Sequence, residues 1–584
     1  MKDILRKLNY IFNASQKRRM VLLMVCIFIG AALELLGVSL IMPLIQLIST
    51  PEVVTENGVL STVYNALDMK SVQGFFIFLV IVIIVLYFLK NLYLSVLYYF
   101  QYSFIYNNQL KVAGRLIDCY LKKPYTYHLD HNTSDMIRNI MLDTDRLFQL
   151  ILSFLNLMSE ILLSLLLVIY LLISDPMMSC TVAGLLLICM AVFRILTKKR
   201  VHSYGKMNQE YDGRMHQAIN QALGAVKDIK ILHRERYFVD SFVSCGRKKM
   251  TALINTNFFG TIPKYIIETI TVAAIMLVLI YKLMSGTDLN TLLPVLASFA
   301  VAAFKLLPSV GKVSNYMNNI TFLKPSIDLI YHDLKETEDM ENVVIEDPDD
   351  AERHDGSPSE IRIEDLFYRY PKTENDVLKG VSFNIALGTS IGLIGESGAG
   401  KSTLADVILG ILYPREGRVM YGSMDVHEYP LKWAEKLAYI PQAIFLADES
   451  IRKNVAFGID DGEIDEDKVW EALEEAQLSD FVRSLPDGLS TEVGERGVRL
   501  SGGQRQRIGI ARALYGNPEI LVLDEATSAL DSETETAVME AIERLHGKKT
   551  LIIIAHRLTT IKNCEYIYRV ENGNVYPVDK KELF

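Results

Sequence analysis

Cysteine is scarce and scattered in this chain. Its six cysteines, Cys26, Cys119, Cys180, Cys189, Cys245 and Cys564, show no C-x-x-C spacing, so neither a disulfide framework nor a zinc site is implied. Cys26, Cys180 and Cys189 lie in apolar runs, where a free thiol behaves as a small core residue. Positive charge is not in excess either: the net charge is −9, which argues against a nucleic-acid binder. The first apolar run has no small-residue cleavage site and is too long for a signal peptide. Polarity as a whole is low, with 50% hydrophobic residues and a mean hydropathy of +0.21, the composition of a membrane protein.

A chain of 584 residues exceeds one core and fits two or three units. Long apolar runs fill 1–332, and 361–584 reads as a soluble domain. Between them, 333–360 holds twelve acidic residues against Lys335 and Arg353, together with Pro348, Gly356 and Pro358. That stretch is expected to be a solvated acidic linker. At the start, Ile4, Leu5, Leu8, Ile11 and Phe12 share one helical face while Lys2, Arg6 and Lys7 lie elsewhere, the pattern of a helix in the membrane interface.

Six spans are expected, at 20–48, 74–102, 147–173, 178–196, 258–283 and 292–320. The joins between spans two and three, and between four and five, are long and rich in Lys and Arg; the others are short and poor in them. The positive-inside bias therefore places both termini and both long joins in the cytoplasm of a multi-pass protein of the cell inner (plasma) membrane. In the outer join 49–71, Val59, Leu60, Val63, Tyr64 and Leu67 fall at helical spacing, which fits either a short amphipathic helix or a capped loop.

From Ile361 short β-rich runs alternate with helical ones, the mark of an α/β domain. "TSIGLIGESGAGKSTLADVILGIL" is a buried strand, then Gly395-x4-Gly400-Lys401-Ser402, then a helix. Glycines there let backbone N–H groups close around phosphate oxygens, Lys401 reaches the β- and γ-phosphates, and Ser402 offers a hydroxyl to Mg²⁺. "ILVLDE" ends in Asp524, suited to the Mg²⁺ shell, and Glu525, suited to orient or deprotonate water. "LSGGQRQR" places Ser501, Gly502 and Gly503 before a helical run, a second anion site that one nucleotide does not need from the same subunit.

These motifs resemble the ATP-binding-cassette family over the whole domain. The resemblance implies a membrane protein with a six-helix exporter-type transmembrane domain and an α/β P-loop cassette, that is, an ATPase coupled to transport with ATP and Mg²⁺ as cofactors. It also implies that two cassettes face each other head to tail. Each ATP then lies between one phosphate loop (Gly395, Ser397, Gly398, Gly400, Lys401, Ser402, Thr403) and the other subunit's Ser501, Gly502, Gly503 and Gln504. By the same resemblance Tyr370 in "FYRYP" stacks on adenine, and Gln442 in "YIPQ" touches Mg²⁺ with Ser402 and Asp524. Asp531 in "SALD" fits the subunit-crossing loop, and His556 in "IIIAHR" joins Glu525 as a catalytic residue. "TEVGERG" is similar to the segment of exporters that meets the membrane loops. One cassette per chain makes a dimer the working unit, with a homodimer the default because both halves of each site look intact. "LKKPYTYHLDHNTSDMIRNIMLDTDRL" and "GAVKDIKILHRERYFVDSF" resemble intracellular loops whose short helices sit on cassettes.

Substrate is read from charge inside the spans. Counting ~1.5 Å per residue from the outer end puts Lys305 about 20 Å down, Lys90 about 24 Å and Lys264 about 30 Å. Three lysines facing a common cavity can hold a phosphate or diphosphate; ion pairs with Glu34, Glu160 and Glu268 are the alternative. "LELLGVSLIMPLIQLI", "LNLMSEILLSLLL" and "FKLLPSVGKVSNYMNNI" are similar to bacterial flippases for lipid-linked oligosaccharides, which implies a lipid-linked anionic substrate of the polyprenyl-diphosphate type. Multidrug or simple-lipid export is the nearest alternative. Peptide export would call for a protease domain before the first helix, and a non-transporting gate or sensor would favour a degraded catalytic site.

Overall fold

The computed structural model describes residues 2–40, 59–66, 71–174, 176–284, 289–340, 358–524, 532–555 and 557–584, without the side chains of 38, 59–61, 63, 174, 177–178, 182, 275, 278, 282–283, 289–307, 337–340 and 532–537. Two compact units result: Met1–Lys123 with His131–Glu341, and Pro124–Asp130 with Asn342–Phe584.

In the first unit, helix α1 (Lys2–Ile11) buries Ile4, Leu8 and Ile11. Part of its apolar face is taken up by protein, while Leu5 stays exposed. Phe12 packs edge-on against Phe104, Tyr10 against Tyr331, and Lys7 pairs with Asp328 at 2.6 Å. Asn13 and Gln16 cap each other's backbone N–H groups at 2.9 and 2.8 Å and start α2 (Ala14–Ser39). In the join 49–71 a helix forms, α3 (Val59–Ala66), and Tyr64 packs edge-on against the buried ring of Phe75; Leu67 lies outside the described residues.

The long helices follow: α4 (Val72–Lys122), and, after α5 (Tyr125–Asp130) in the second unit, α6 (Thr133–Arg138), a π-helical turn (Asn139–Asp143) and α7 (Thr144–Ser174). They continue as α8 (Pro176–Gly224), α9 (Val226–Leu232), α10 (Glu235–Met284) and α11 (Leu289–Met340). Among the described residues five helices are long and apolar enough to cross a membrane, Ala14–Gly37, Val72–Lys122, Thr133–Ile173, Ser179–Gly224 and Glu235–Tyr281. The expected sixth span, 292–320, falls within α11, where many side chains are outside the described residues.

Pro263 interrupts α10 and cannot donate to the Phe259 carbonyl. The Asn318 side chain of α11 donates to that oxygen at 2.9 Å, filling the gap from a neighbouring helix.

The π-helical turn ends in the fully buried Asp143. Its carboxylate accepts from Ser326 at 2.6 Å, Gln209 at 3.1 Å and Arg138 at 3.2 Å, and Arg146 lies at 3.4 Å. Arg146 also bonds Asp212 at 2.6 Å. Gly213 borders this cluster: a Cβ there would stand 2.4 Å from an Arg138 nitrogen, so a larger residue would require the guanidinium to shift.

The expected acidic linker starts later than the composition implies. Helix α11 runs on through Met340, and the first unit extends to Glu341 and not to 332. The cause is specific pairing. Asp333 accepts from the Tyr120 hydroxyl and, at 3.2 Å, from Asn139, while Lys123 reaches Glu336 at 2.9 Å.

Among its described residues the second unit has ten strands. An antiparallel sheet in the order β2-β1-β4-β5 joins β1 (Glu360–Tyr368), β2 (Leu378–Ala386), β4 (Glu416–Tyr421) and β5 (Met424–Asp425). A second sheet, β10-β9-β3-β8-β7-β6, contains β3 (Ser390–Ile394), β6 (Leu437–Ile440), β7 (Ile520–Asp524), β8 (Thr550–Ile554), β9 (Tyr566–Glu571) and β10 (Asn574–Val578). All its pairs are parallel except β10 with β9. Strands β3 and β8 are buried throughout, as continuous apolar runs in a covered parallel sheet require. Helix α12 (Lys401–Ile408) follows β3. Helices α13 to α16 (Pro430–Lys436, Ile451–Val455, Glu466–Glu475 and Ser479–Ser484) lead to α17 (Gly502–Leu514).

Candidate functional site

The loop between β3 and α12 takes backbone angles that side chains disfavour, with φ of 152° at Gly395, 82° at Gly398 and 106° at Gly400. At Gly395 space forbids a side chain as well, since a Cβ would lie 2.2 Å from the Val570 carbonyl oxygen. Lys401 is buried and its Nζ donates to the carbonyls of Gly395 and Glu396 at 2.8 and 2.9 Å, so the ammonium sits under its own loop. Ser397 and Ser402 are exposed. The half-buried Tyr370 hydroxyl lies 3.1 Å from that of Thr403, which ties the aromatic to the start of α12.

Parallel strands then bring polar groups to one edge. Asp524 closes β7, Gln442 follows β6 and is exposed, and the phosphate loop follows β3. These are carboxyl ends of strands in one sheet, where α/β ligand sites form. Glu525, Asp531 and His556 lie outside the described residues. Sequence reasoning passed over Asp406, one turn after Ser402 on α12. Burial and the nearby Asp524 carboxylate push the Asp406 carboxyl up to about 6. The i, i+4 spacing from Ser402 was the available signal.

Ser501 and Gln504 form a reciprocal cap on α17: the Gln504 N–H donates to Ser501 Oγ at 3.3 Å, and the Ser501 N–H to Gln504 Oε1 at 2.9 Å. Gly502 and Gly503 open the helix. At its far end Arg512 donates to the carbonyls of Asn454 and Phe445, both at 2.8 Å. Asn454, fully buried, in turn bonds both backbone groups of Ala447 at 3.0 Å. The loop after Gln442 is therefore fastened to α17, a connection no motif announced. Helix α5 belongs to this unit, and its Asp130 pairs with Lys372 at 2.8 Å.

Within the first unit a cavity of about 240 Å³ is lined by α2, α4, α7 and α11. Lys312 and Glu160 pair across it at 2.7 Å, and Gln101 donates to Asn156 at 2.9 Å. The second Glu160 oxygen is buried without a hydrogen-bond partner among the described residues. Glu34 and Tyr98 add to the polar wall.

Of the three expected lysines, neither Lys90 nor Lys264 lines this cavity among the described residues. Lys90 is buried with its Nζ 4.4 Å from the centre of the Tyr87 ring, Lys264 is exposed with its Nζ 5.7 Å from that of Tyr265, and the Lys305 side chain is outside the described residues. Among the described residues the cation lining the cavity is Lys312, which sequence reasoning left aside. It follows Lys305 by two helical turns, and that seven-residue spacing was legible.

Comparison with known proteins agrees with this architecture. Residues 20–303 match the family model "ABC transporter transmembrane region", and residues 378–528 match "ABC transporter". The ATP-dependent lipid A-core flippase of Cupriavidus pinatubonensis is 26% identical over 472 residues, 80% of this chain and 78% of the relative. That of Methylobacillus flagellatus is 33% identical over 64% of this chain and 62% of its own length. Multidrug resistance protein 1 of Entamoeba histolytica is 36% identical over 47% of this chain and 20% of its own. Among solved structures, a bacterial Atm1-family ABC exporter with ATP bound superposes with a TM-score of 0.72 at 20% identity, covering 98% of this chain and 96% of that one; this likeness concerns the fold. Taken with the phosphate loop, the signature helix and the apolar helices, these matches make the chain a member of the ABC transporters, an exporter-type half-transporter whose cassette binds ATP and whose ATPase activity is coupled to transport.

Proposed function

We propose that the protein flips a lipid with an anionic, hydroxyl-rich headgroup, of the lipid-linked oligosaccharide type, from the inner to the outer leaflet as a homodimer. The polar cavity carries this reading. A charged pair, two side-chain amides and an unsatisfied carboxylate oxygen at membrane depth are costly in an apolar bundle unless a polar ligand uses them. Lys312 supplies the cation, with Lys90 and Lys305 as further anion contacts and Lys264 near the inner boundary. Lipid A-core flippases among the relatives support a lipid substrate.

In the cassette, the donor set fits Mg²⁺. Ser402, Gln442 and Asp524 offer hard oxygen ligands at the carboxyl ends of strands in one sheet. Bound Mg²⁺ would neutralise phosphate charge. Lys401 is poised to leave its loop carbonyls for the β- and γ-phosphates, Tyr370 to stack on adenine, and Glu525 with His556 to act on the attacking water. Ser501 to Gln504 of one subunit face the ATP held by the other, so the dimer completes both sites. Tyr370→Ala is expected to weaken ATP binding roughly 5- to 150-fold, the ~1–3 kcal/mol of a base stack, as read by nucleotide titration.

The deciding experiment is ATPase activity in nanodiscs with and without a polyprenyl-diphosphate oligosaccharide, for the wild type and Lys305→Ala. Stimulation in the wild type that disappears in the variant supports the flippase reading. A multidrug exporter remains the second reading, because relatives with that name also match. Stimulation of both forms by hydrophobic drugs, with none by the lipid, would establish it instead.

A further inference from the structure

A second concave surface lies on the same two helices that form one wall of the polar cavity. It is a groove of about 550 Å³ between α2 and α4, walled by Leu22, Leu23, Val96, Phe100 and Phe104. Arg19, Lys111 and Asn107 also border it. Two hydrogen bonds fix how the helices lie. Gln16 Nε2 donates to Asn108 Oδ1 at 2.8 Å, and the Tyr93 hydroxyl donates to the Cys26 carbonyl at 2.8 Å. The pairing is therefore antiparallel, which puts Arg19 and Lys111 at the same end of the groove, around Asn107. Neither cation forms an ion pair or side-chain hydrogen bond among the described residues, and both are exposed.

The length of the groove identifies what fills it. Its apolar lining rises about 16 Å along α4 from Tyr93 to Phe104 and about 6 Å along α2 from Leu22 to Cys26. Half of a hydrocarbon core is about 15 Å. The surface is apolar for the depth of one leaflet and basic where that leaflet's headgroups begin. We propose that it binds one anionic glycerophospholipid of the leaflet at the N-terminal end of α2, with an acyl chain along Val96 and Phe100 and the phosphate between Arg19 and Lys111. By the positive-inside reading this is the cytoplasmic leaflet. Because Leu97 lines both the groove and the polar cavity, the bound chain backs the cavity wall. The site is separate from the substrate path and does not depend on which lipid is flipped.

The test is lipid binding to the purified full-length protein by native mass spectrometry, with phosphatidylglycerol, phosphatidylcholine and a polyprenyl diphosphate as probes. For the first bound lipid, phosphatidylglycerol should exceed phosphatidylcholine by roughly 30-fold, the effect of two basic residues at a membrane surface. The Arg19→Ala/Lys111→Ala pair should bring the two lipids within about twofold. Val96→Trp, which fills the groove and keeps both charges, should weaken phosphatidylglycerol, while Lys198→Ala/Lys199→Ala should not. Retained preference in the Arg19/Lys111 variant, equal binding of the two phospholipids by the wild type, or displacement of phosphatidylglycerol by the polyprenyl diphosphate would each overturn the proposal. The last outcome would assign the groove to substrate.

Discussion

Replacing Glu525 by glutamine is expected to leave ATP bound and to slow its hydrolysis by roughly 10²–10⁴-fold, the usual loss for a positioned base. The argument rests on β7. Ile520 to Leu523 are buried between β6 and β8, so the strand is held in register and delivers Asp524, the residue before Glu525 in sequence, to the carboxyl edge of the sheet. A glutamine keeps the volume and hydrogen-bonding reach of glutamate but cannot take a proton, so binding and hydrolysis should separate. Phosphate release and nucleotide retention measured on one preparation will distinguish them. Normal turnover would remove Glu525 from the mechanism, and lost ATP binding would mean that it shapes the site.

The second large effect is structural. Asp143→Ala should destabilise the membrane unit by about 3–5 kcal/mol, because removing one member of a buried ion pair leaves the others uncompensated. Arg138 would keep Asp135 at 2.8 Å, but it would lose its buried partner. Ser326 and Gln209 would lose their acceptor, so α8 and α11 would come free of the π-helical turn together. Asp143→Asn, which keeps an acceptor oxygen without the charge, should cost less. Thermal unfolding in nanodiscs would rank the three proteins, and equal midpoints would show that water substitutes for the carboxylate.

How much of this was legible depended on whether the information was local. The phosphate loop, the signature and the "ILVLDE" strand are runs of adjacent residues whose spacing is itself the chemistry, and β1 begins within one residue of the expected Ile361. Apolar length likewise marked the spanning helices, and the one-sided pattern of α1 located its buried face. It could not tell that Tyr10 would meet Tyr331 and Phe12 would meet Phe104. The misjudged features all involve distant partners. Glu160 and Lys312 are 152 residues apart, and Tyr120 and Asp333 are 213 apart. Composition treats Asp333 as one more acid in a charged stretch, whereas a hydroxyl from another helix makes it an anchor.

The bolt from Arg512 to Asn454 changes what one cassette can transmit. In the proposed dimer the first turn of α17 reads the partner's ATP, while the loop starting at Gln442 touches the chain's own. Since the far end of α17 grips that loop through Phe445 and Asn454, the two contacts belong to a single lever. News of an empty or filled site on one side can then arrive at the other through Arg512 and Asn454, inside one cassette.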